Sequence, residues 1–215
     1  MHTPTRTSRV VMGRGGRLTR PLLVAALAAG LLVAGSSAAQ AQSVTDADAA
    51  GDVVNFGYDD EEARPAPNQV RNDVLRTNMT HGARRISIRV KYAELRRLGD
   101  GHEQFVHMVT NEGARRYLDV SAYPGSWAGS TDLVRGRDGR EVRCAIRHSI
   151  DYTRNVVAVS FPRQCASSPR WVKFRVAAQR YGSGGIYIDD ALRDRPWYGE
   201  TWPTQSPRVY RAGSA

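Results

Sequence analysis

Apolar and polar side chains alternate along most of the chain after residue 73. The alternation is clearest in RISIRVKY (residues 85–92), where isoleucine, valine and tyrosine alternate with serine, arginine and lysine. The same period of two recurs in residues 118–122, 142–146, 157–161 and 172–176. Because successive side chains of a strand point to opposite faces, each segment predicts a strand with one buried and one wet side.

Turn-forming residues separate these predicted strands. They are His81-Gly82, Glu112-Gly113, Asp138-Gly139 and the segment Asp151–Asn155. Short strands at intervals of about 8–12 residues are typical of an all-β sandwich. We therefore expect residues 71–215 to form one domain, an antiparallel β-sandwich of jelly-roll or immunoglobulin-like type. Only residues 93–98 are expected to form a helical turn.

The first 41 residues have the three parts of a secretory signal peptide. Five arginines and no acidic residue lie in residues 2–20, an uncharged apolar run occupies residues 21–35, and Ala39-Gln40-Ala41 follows. A helix over that run would measure about 22 Å, short of the roughly 30 Å hydrocarbon core of a membrane. We predict cleavage between Ala41 and Gln42, no transmembrane span in the mature protein and an extracellular location. An uncleaved anchor is the alternative.

Charge is unevenly distributed along the chain. The whole sequence carries 31 basic and 21 acidic side chains, for a net charge of +10. Residues 42–70 hold seven acidic side chains against Arg64, together with Pro65 and Pro67. This composition predicts an acidic flexible leader, within which residues 52–58 are the alternative candidate for an edge strand.

The remaining residues, 71–215, are basic and suggest an anionic partner such as a cell-wall polymer. The candidate anion-binding residues alternate along the predicted strands: Arg89, Lys91, Arg143, Arg147, Lys173 and Arg175. Arginine makes up 29 of the 31 basic residues, so the codon bias of a GC-rich genome is the alternative explanation. A nucleic-acid partner is not expected for an exported chain.

Cys144 and Cys165 are the only cysteines. An even number of cysteines in an exported chain predicts a disulfide, here closing a loop of 22 residues. Such a loop is worth about 3 kcal/mol in the chain-entropy model. Folding the hairpin at Asp151–Asn155 brings both cysteines to the same end, so the bridge should hold the segment after the second strand against the first strand.

Three segments together resemble a known group of proteins: RISIRVKYAEL, RRYLDV and CAIRHSIDYTRNVVAVSFPRQC. They are similar to small exported proteins of unknown function from high-GC Gram-positive bacteria. Those proteins pair a basic strand with a later hairpin that ends in Pro-Arg-x-Cys. The likeness covers most of residues 73–178 and the later IYIDDALRD. It implies a β-sandwich and supplies no activity and no catalytic residues.

The sequence carries no recognisable catalytic motif, since G-x-S-x-G, H-x-x-x-H, phosphate-loop and C-x-x-C patterns are all absent. Asp189, Asp190 and Asp194 form the densest acidic cluster of the basic region. Pairing with Arg193 and Arg195 is the favoured interpretation, and a calcium site is the alternative. No other cofactor is expected.

Aromatic residues provide a second candidate site. Trp127, Trp197, Tyr198 and Trp202 could stack on sugar rings as exposed platforms, or could cover an edge of the sandwich instead. We expect a secreted, monomeric, non-enzymatic binding protein of the cell envelope or extracellular space, for anionic polymer or carbohydrate. A secreted hydrolase with an unrecognised carboxylate pair and a structural interaction module are the alternatives.

Overall fold

The computed structural model of the protein describes residues 42–59, 62–199 and 203–213. Within these residues, thirteen strands form two antiparallel sheets that pack against each other, and one 3-10 helix covers Arg163–Ala166. The prediction of an antiparallel β-sandwich is confirmed. The predicted signal peptide (residues 1–41) and Trp202 lie outside the described residues. No helix among the described residues is long and apolar enough to span a membrane.

The smaller sheet has five strands in the order β1-β4-β5-β10-β9. Their bounds are β1 Gln42–Ala47, β4 Val74–His81, β5 Arg85–Tyr92, β9 Arg147–Asp151 and β10 Val156–Pro162. The larger sheet has the order β3-β2-β12-β11-β6-β7-β8, and β13 also pairs with β11. Its bounds are β2 Val54–Phe56, β3 Ala63–Pro65, β6 Gly101–Thr110, β7 Arg115–Tyr123, β8 Ser126–Arg135, β11 Trp171–Gly182, β12 Gly185–Asp190 and β13 Val209–Tyr210.

The core lies between the two sheets and is built from the apolar half of each alternating pattern. In the smaller sheet, Val90 of β5 is opposite Val157 of β10, and both are fully buried. In the larger sheet, Val106 of β6 is opposite Val176 of β11 and is equally buried. Burial of these branched side chains is the main force that holds the two sheets together.

The expectation of a flexible leader over residues 42–70 is wrong. This segment contributes β1 to the smaller sheet and β2 and β3 to the larger one, and Val53 and Val54 are fully buried. β2 lies within residues 52–58, the alternative candidate for a strand, although it is an inner strand of the sheet and not an edge. Strands of three residues are too short to show alternation, and the acidic composition around them favoured the prediction of a leader. Pro65 ends β3 at an edge of the sheet, where its missing N–H removes no ladder hydrogen bond.

The predicted disulfide between Cys144 and Cys165 is present, with 6.3 Å between the two Cα atoms. Cys165 lies in the 3-10 helix directly after β10, as expected. Cys144 lies in an extended segment before β9, because residues 142–146 do not form the predicted strand. Their apolar side chains still pack against the core. The bridge therefore ties that segment to the 3-10 helix.

Residues 93–98 form no helical turn and instead run irregularly beside the β9–β10 turn. Asn155 of that turn holds them in place, since its side-chain Nδ2 donates to the carbonyl of Ala93 and its Oδ1 accepts from the amide of Leu95. Asn155 itself has a φ of +54°, a left-handed conformation that asparagine tolerates better than most residues.

Candidate functional site

A groove lies on the outer face of the larger sheet, on the side away from the core. Its volume is about 770 Å³, within the range of sites for small ligands. Its floor is formed by side chains of four adjacent strands: Phe105 and His107 of β6, Tyr117 and Asp119 of β7, Arg175, Ala177 and Gln179 of β11, and Ile188 of β12. These positions are brought together by strand register, with Phe105 opposite Asp119 and Ala177.

One side of the groove is formed by the chain after β12, which we call the roof segment (residues 191–199 and 203). Trp197, Gly199 and Pro203 of this segment line the groove. Two hydrogen bonds anchor the segment, one at its first residue and one directly after its last residue. Ala191 donates its amide to the carbonyl of Val176, and the amide of Thr204 donates to Asp190. The predicted ligand platform at Trp197 is therefore positioned beside the sheet.

The polar groups of the groove differ along its length. Asp119 lies at one end, where burial and the nearby carboxylates of Glu103 and Asp132 raise its pKa to about 6. At the other end burial, Arg175 and Arg115 lower the pKa of His107 to about 4, so the imidazole is neutral at pH 7. The ring of His107 lies 4.6 Å from that of Tyr117, measured between centroids.

Glu103 extends the acidic end of the groove. It is opposite Gln179 in the β6–β11 ladder. The hydroxyl of Tyr181 donates to its Oε2 at 3.0 Å, and Tyr123 donates to its Oε1. Burial raises the pKa of Tyr181 to about 12, and the hydrogen bond to Glu103 and the negative charge of Glu103 add to the effect. The carboxylate of Glu103 is therefore held in a fixed position by two phenols.

Trp127 and Tyr198, two of the other predicted aromatic platforms, do not line the groove. Trp127 is the second residue of β8 and packs in an aromatic cluster with His102 and Tyr152, with ring centroids 6.4 and 6.5 Å away. Tyr198 follows Trp197 but faces solvent, with 37% of its surface exposed. The interpretation of Trp127 as an exposed platform is therefore corrected, because Trp127 is only partly exposed and packs against these two rings.

The predicted anion-binding residues lie on two opposite faces of the sandwich, so they do not form one surface. Arg89, Lys91 and Arg147 are on the outer face of the smaller sheet, Lys173 and Arg175 on that of the larger sheet, and Arg143 on the extended segment before β9. Lys91 donates to the carbonyl of Arg154 at 2.7 Å, and Arg175 lines the groove.

The acidic residues of β12 are also divided between two faces. Asp189 points into the sandwich and accepts a hydrogen bond of 2.6 Å from the amide of Val74. Asp190 points to the other side, where it accepts from Thr204, and Asp194 is exposed. Neighbouring residues of a strand face opposite sides, so the predicted cluster of Asp189, Asp190 and Asp194 does not form as one site.

Asp189 instead lies with Asp48 and Asp52, from the loop between β1 and β2. One oxygen of each carboxylate lies within 4.8 Å of the others. Burial raises the pKa of all three, to about 10 for Asp48 and about 6 for Asp52, and repulsion from neighbouring aspartates adds to the effect. We refer to Asp48, Asp52 and Asp189 as the acidic triad.

The sequence contains weak signals for the acidic triad and for the groove. The spacing Asp46-x-Asp48-x-x-Gly51-Asp52 resembles the start of a calcium-binding loop, although alanine replaces an oxygen ligand at residue 50. For the groove, Phe105, Tyr117 and Ile188 are large apolar residues on the nominally polar side of their strands. An apolar residue there indicates a covered outer face.

The sequence matches no protein-family model, and no curated protein matches it. The similarity to exported proteins of high-GC Gram-positive bacteria therefore remains a prediction. Function must be inferred from the geometry of the groove and of the acidic triad.

Proposed function

We propose that this protein is an exported carbohydrate-binding protein and that the groove on the larger sheet holds one or more sugar rings. The observation that supports this is the composition of the groove. Aromatic rings of Trp197 and Tyr117 lie in the same cavity as the hydrogen-bonding groups of Asp119 and Gln179. Sugars present apolar C–H faces to aromatic rings and hydroxyl groups at their edges, so they use both kinds of contact.

A purely apolar ligand fits this groove less well. It would remove water from Asp119, Gln179 and Arg175 without replacing their hydrogen bonds. Leaving a buried polar group without a partner costs about 1–3 kcal/mol for each group. Sugar hydroxyls both donate and accept, and therefore satisfy a carboxylate, an amide and a guanidinium in turn.

An anionic polymer also fits the groove less well, because one end of it is negatively charged. Asp132 is directly opposite Asp119 in the β7–β8 ladder, and Glu103 is close enough to raise the pKa of Asp119. A neutral glycan avoids that repulsion. A polyanion is better matched to the outer face of the smaller sheet, where Arg89 and Arg147 are exposed.

Export is part of this proposal. The predicted cleavage point leaves Gln42 as the first residue, and Gln42 begins β1. The disulfide between Cys144 and Cys165 is suited to an oxidising extracellular compartment. An extracellular location gives access to envelope and environmental glycans.

Co-sedimentation with isolated cell wall and a panel of neutral glycans, at about 0.05 M and 0.5 M NaCl, tests the proposal. Groove binding should survive high salt, because stacking and neutral hydrogen bonds are weakly screened. A variant with Arg89→Gln and Arg147→Gln is the matched control and should bind equally well. Binding lost at high salt or in this variant would favour the polyanion surface, and no binding at either salt would reject a glycan-binding role.

The same incubations distinguish a binding protein from a hydrolase. Asp119 and Asp132 are directly opposite each other in the β7–β8 ladder, and glycoside hydrolysis uses a pair of carboxyl groups. We expect no new reducing ends after prolonged incubation with a bound glycan. Release of reducing ends that is abolished by Asp119→Asn would contradict the non-enzymatic proposal while retaining the groove as the site.

A further inference from the structure

Acidic residues of the N-terminal segment lie against the acidic part of an otherwise basic domain. Residues 71–215 carry 25 basic and 14 acidic side chains, so simple attraction would bring the acidic segment to an arginine-rich surface. Instead, Asp48 and Asp52 lie beside Asp189, and Asp190 is close enough to raise the pKa of both. Like charges placed together in a fold must be neutralised, either by a cation or by protonation.

Asp52 provides an independent observation. Only 6% of its surface is exposed, and neither carboxylate oxygen accepts a hydrogen bond from another residue in the described part of the chain. The Oδ2 atom of Asp48 is also buried and accepts no hydrogen bond in the described part of the chain. No ion pair between described residues involves any member of the acidic triad. A buried carboxylate in this position is normally paired with a cation or bound to a metal.

The backbone around the triad holds the carboxylates in place. Val74 donates its amide to Asp189, and the amide of Gly51 donates to both oxygens of Asp73 at 3.1 Å. Gly51 has a φ of +84°, which turns the chain between Asp48 and Asp52. The triad therefore joins a tight loop to a strand of the core.

We propose that Asp48, Asp52 and Asp189 bind a divalent cation, Ca²⁺, which attaches the β1–β2 loop to β12. Calcium–oxygen distances of about 2.3–2.6 Å place ligand oxygens up to about 5 Å apart across the ion. The triad oxygens, all within 4.8 Å of one another, meet that requirement. Waters and backbone carbonyls complete the usual six to eight ligands.

This site is separate from the groove and does not depend on the proposed function. Asp189 faces the interior of the sandwich, whereas the groove lies on the outer face of the same sheet. Its role is to hold the N-terminal strands in the fold. The alternative is a triad that is neutralised by protonation alone, which would not respond to calcium.

Thermal melting of the purified protein, stripped with EDTA and then titrated with CaCl₂, tests the proposal. Extracellular calcium modules have Kd values of about 10⁻⁴–10⁻³ M, which at about 10 mM Ca²⁺ predicts a Tm increase of about 3–10 °C. Asp52→Asn should abolish that increase, and in EDTA it should melt no lower than wild type because one repelling charge is gone. Asp59→Asn, an exposed aspartate of the same segment, is the matched control and should respond to Ca²⁺ as wild type does.

Calorimetric titration of the wild-type protein provides a second measurement that does not depend on a variant folding. One Ca²⁺ per chain, reduced to none in Asp48→Asn or Asp52→Asn, supports the site. The absence of calcium binding by the stripped wild-type protein would overturn the proposal. An equal Tm increase in wild type and Asp52→Asn would do the same, because the ion would then bind elsewhere.

Discussion

The Oδ2 atom of Asp190 accepts a hydrogen bond of 2.6 Å from the backbone amide of Thr204. These two residues flank the roof segment, which carries Trp197 over the groove. This hydrogen bond joins the two ends of the roof segment, which lines the proposed sugar site. Asp190 comes from β12, so the groove wall is fixed directly to the sheet that forms the floor.

Asp190→Ala should loosen this attachment. Hydrogen bonds to charged groups contribute about 1.5–3 kcal/mol, so the amide of Thr204 should exchange its proton at least about tenfold faster, measured by NMR hydrogen exchange. Glycan affinity should fall several-fold. Asp190→Asn retains an acceptor oxygen and should restore most of both properties. Unchanged exchange in Asp190→Ala would show that other contacts hold the segment.

The disulfide should contribute substantially to stability. Replacing Cys144 and Cys165 together by serine removes a cross-link over 22 residues, worth about 3 kcal/mol. For a domain of this size the expected decrease in Tm is about 6–12 °C, measured by calorimetry. A reducing agent should lower the Tm of the wild type by a similar amount and leave the double variant unaffected. Equal melting of all forms would show that the bridge is not structural.

Neutral His102 should make a contribution to stability that is lost in mild acid. Burial lowers the pKa of His102 to about 4, so its proton binds the unfolded chain more readily than the folded one. The contribution of neutral His102 to the free energy of unfolding is therefore complete above about pH 6.5 and is lost as the pH falls toward 4. In His102→Gln, the loss of unfolding free energy between about pH 6.5 and 4 should be smaller by up to about 3 kcal/mol. Urea unfolding at several pH values measures this. If the unfolding free energy of wild type and of His102→Gln changed with pH in the same way, the proposed role of His102 would be contradicted.

Gly185→Ala should detach β2 from the larger sheet. Gly185 begins β12 with a φ of +128°, and an added Cβ would collide with the carbonyl oxygen of Phe56 in β2. We expect faster hydrogen exchange and easier proteolysis across residues 54–65, with the rest of the sandwich retained. Gly113→Ala, at an open turn with space for a side chain, is the control. Protection of β2 equal to wild type would contradict the predicted role of Gly185.

Strands β5, β7, β10 and β11 and the disulfide could be predicted because their signals are local. Ile86, Ile88 and Val90 alternate with polar residues over a full strand, and Asn155 marks the turn that follows β9. Of the N-terminal strands, only β2 was an alternative candidate, because three residues around Val54 give no period and their stability comes from pairing with β12, more than 120 residues later.

The candidate sites depend still more on long-range contacts. Asp52 and Asp189 are 137 residues apart in sequence, and only strand pairing brings their carboxylates together. Trp197 could be identified as a candidate from its residue type alone. Its partners in the groove, Tyr117 and Asp119, could not, because the register of four strands determines which outer-face residues meet.

The most direct test of the proposed function is the affinity of the groove for its best glycan, measured by isothermal titration calorimetry. Trp197→Ala and Asp119→Asn should each weaken binding at least about tenfold, because they remove a stacking face and a hydrogen-bonding carboxylate. Tyr198→Ala, an exposed aromatic residue beside the groove, should bind as wild type does. Wild-type affinity in both groove variants would contradict the assignment of the groove as the sugar site.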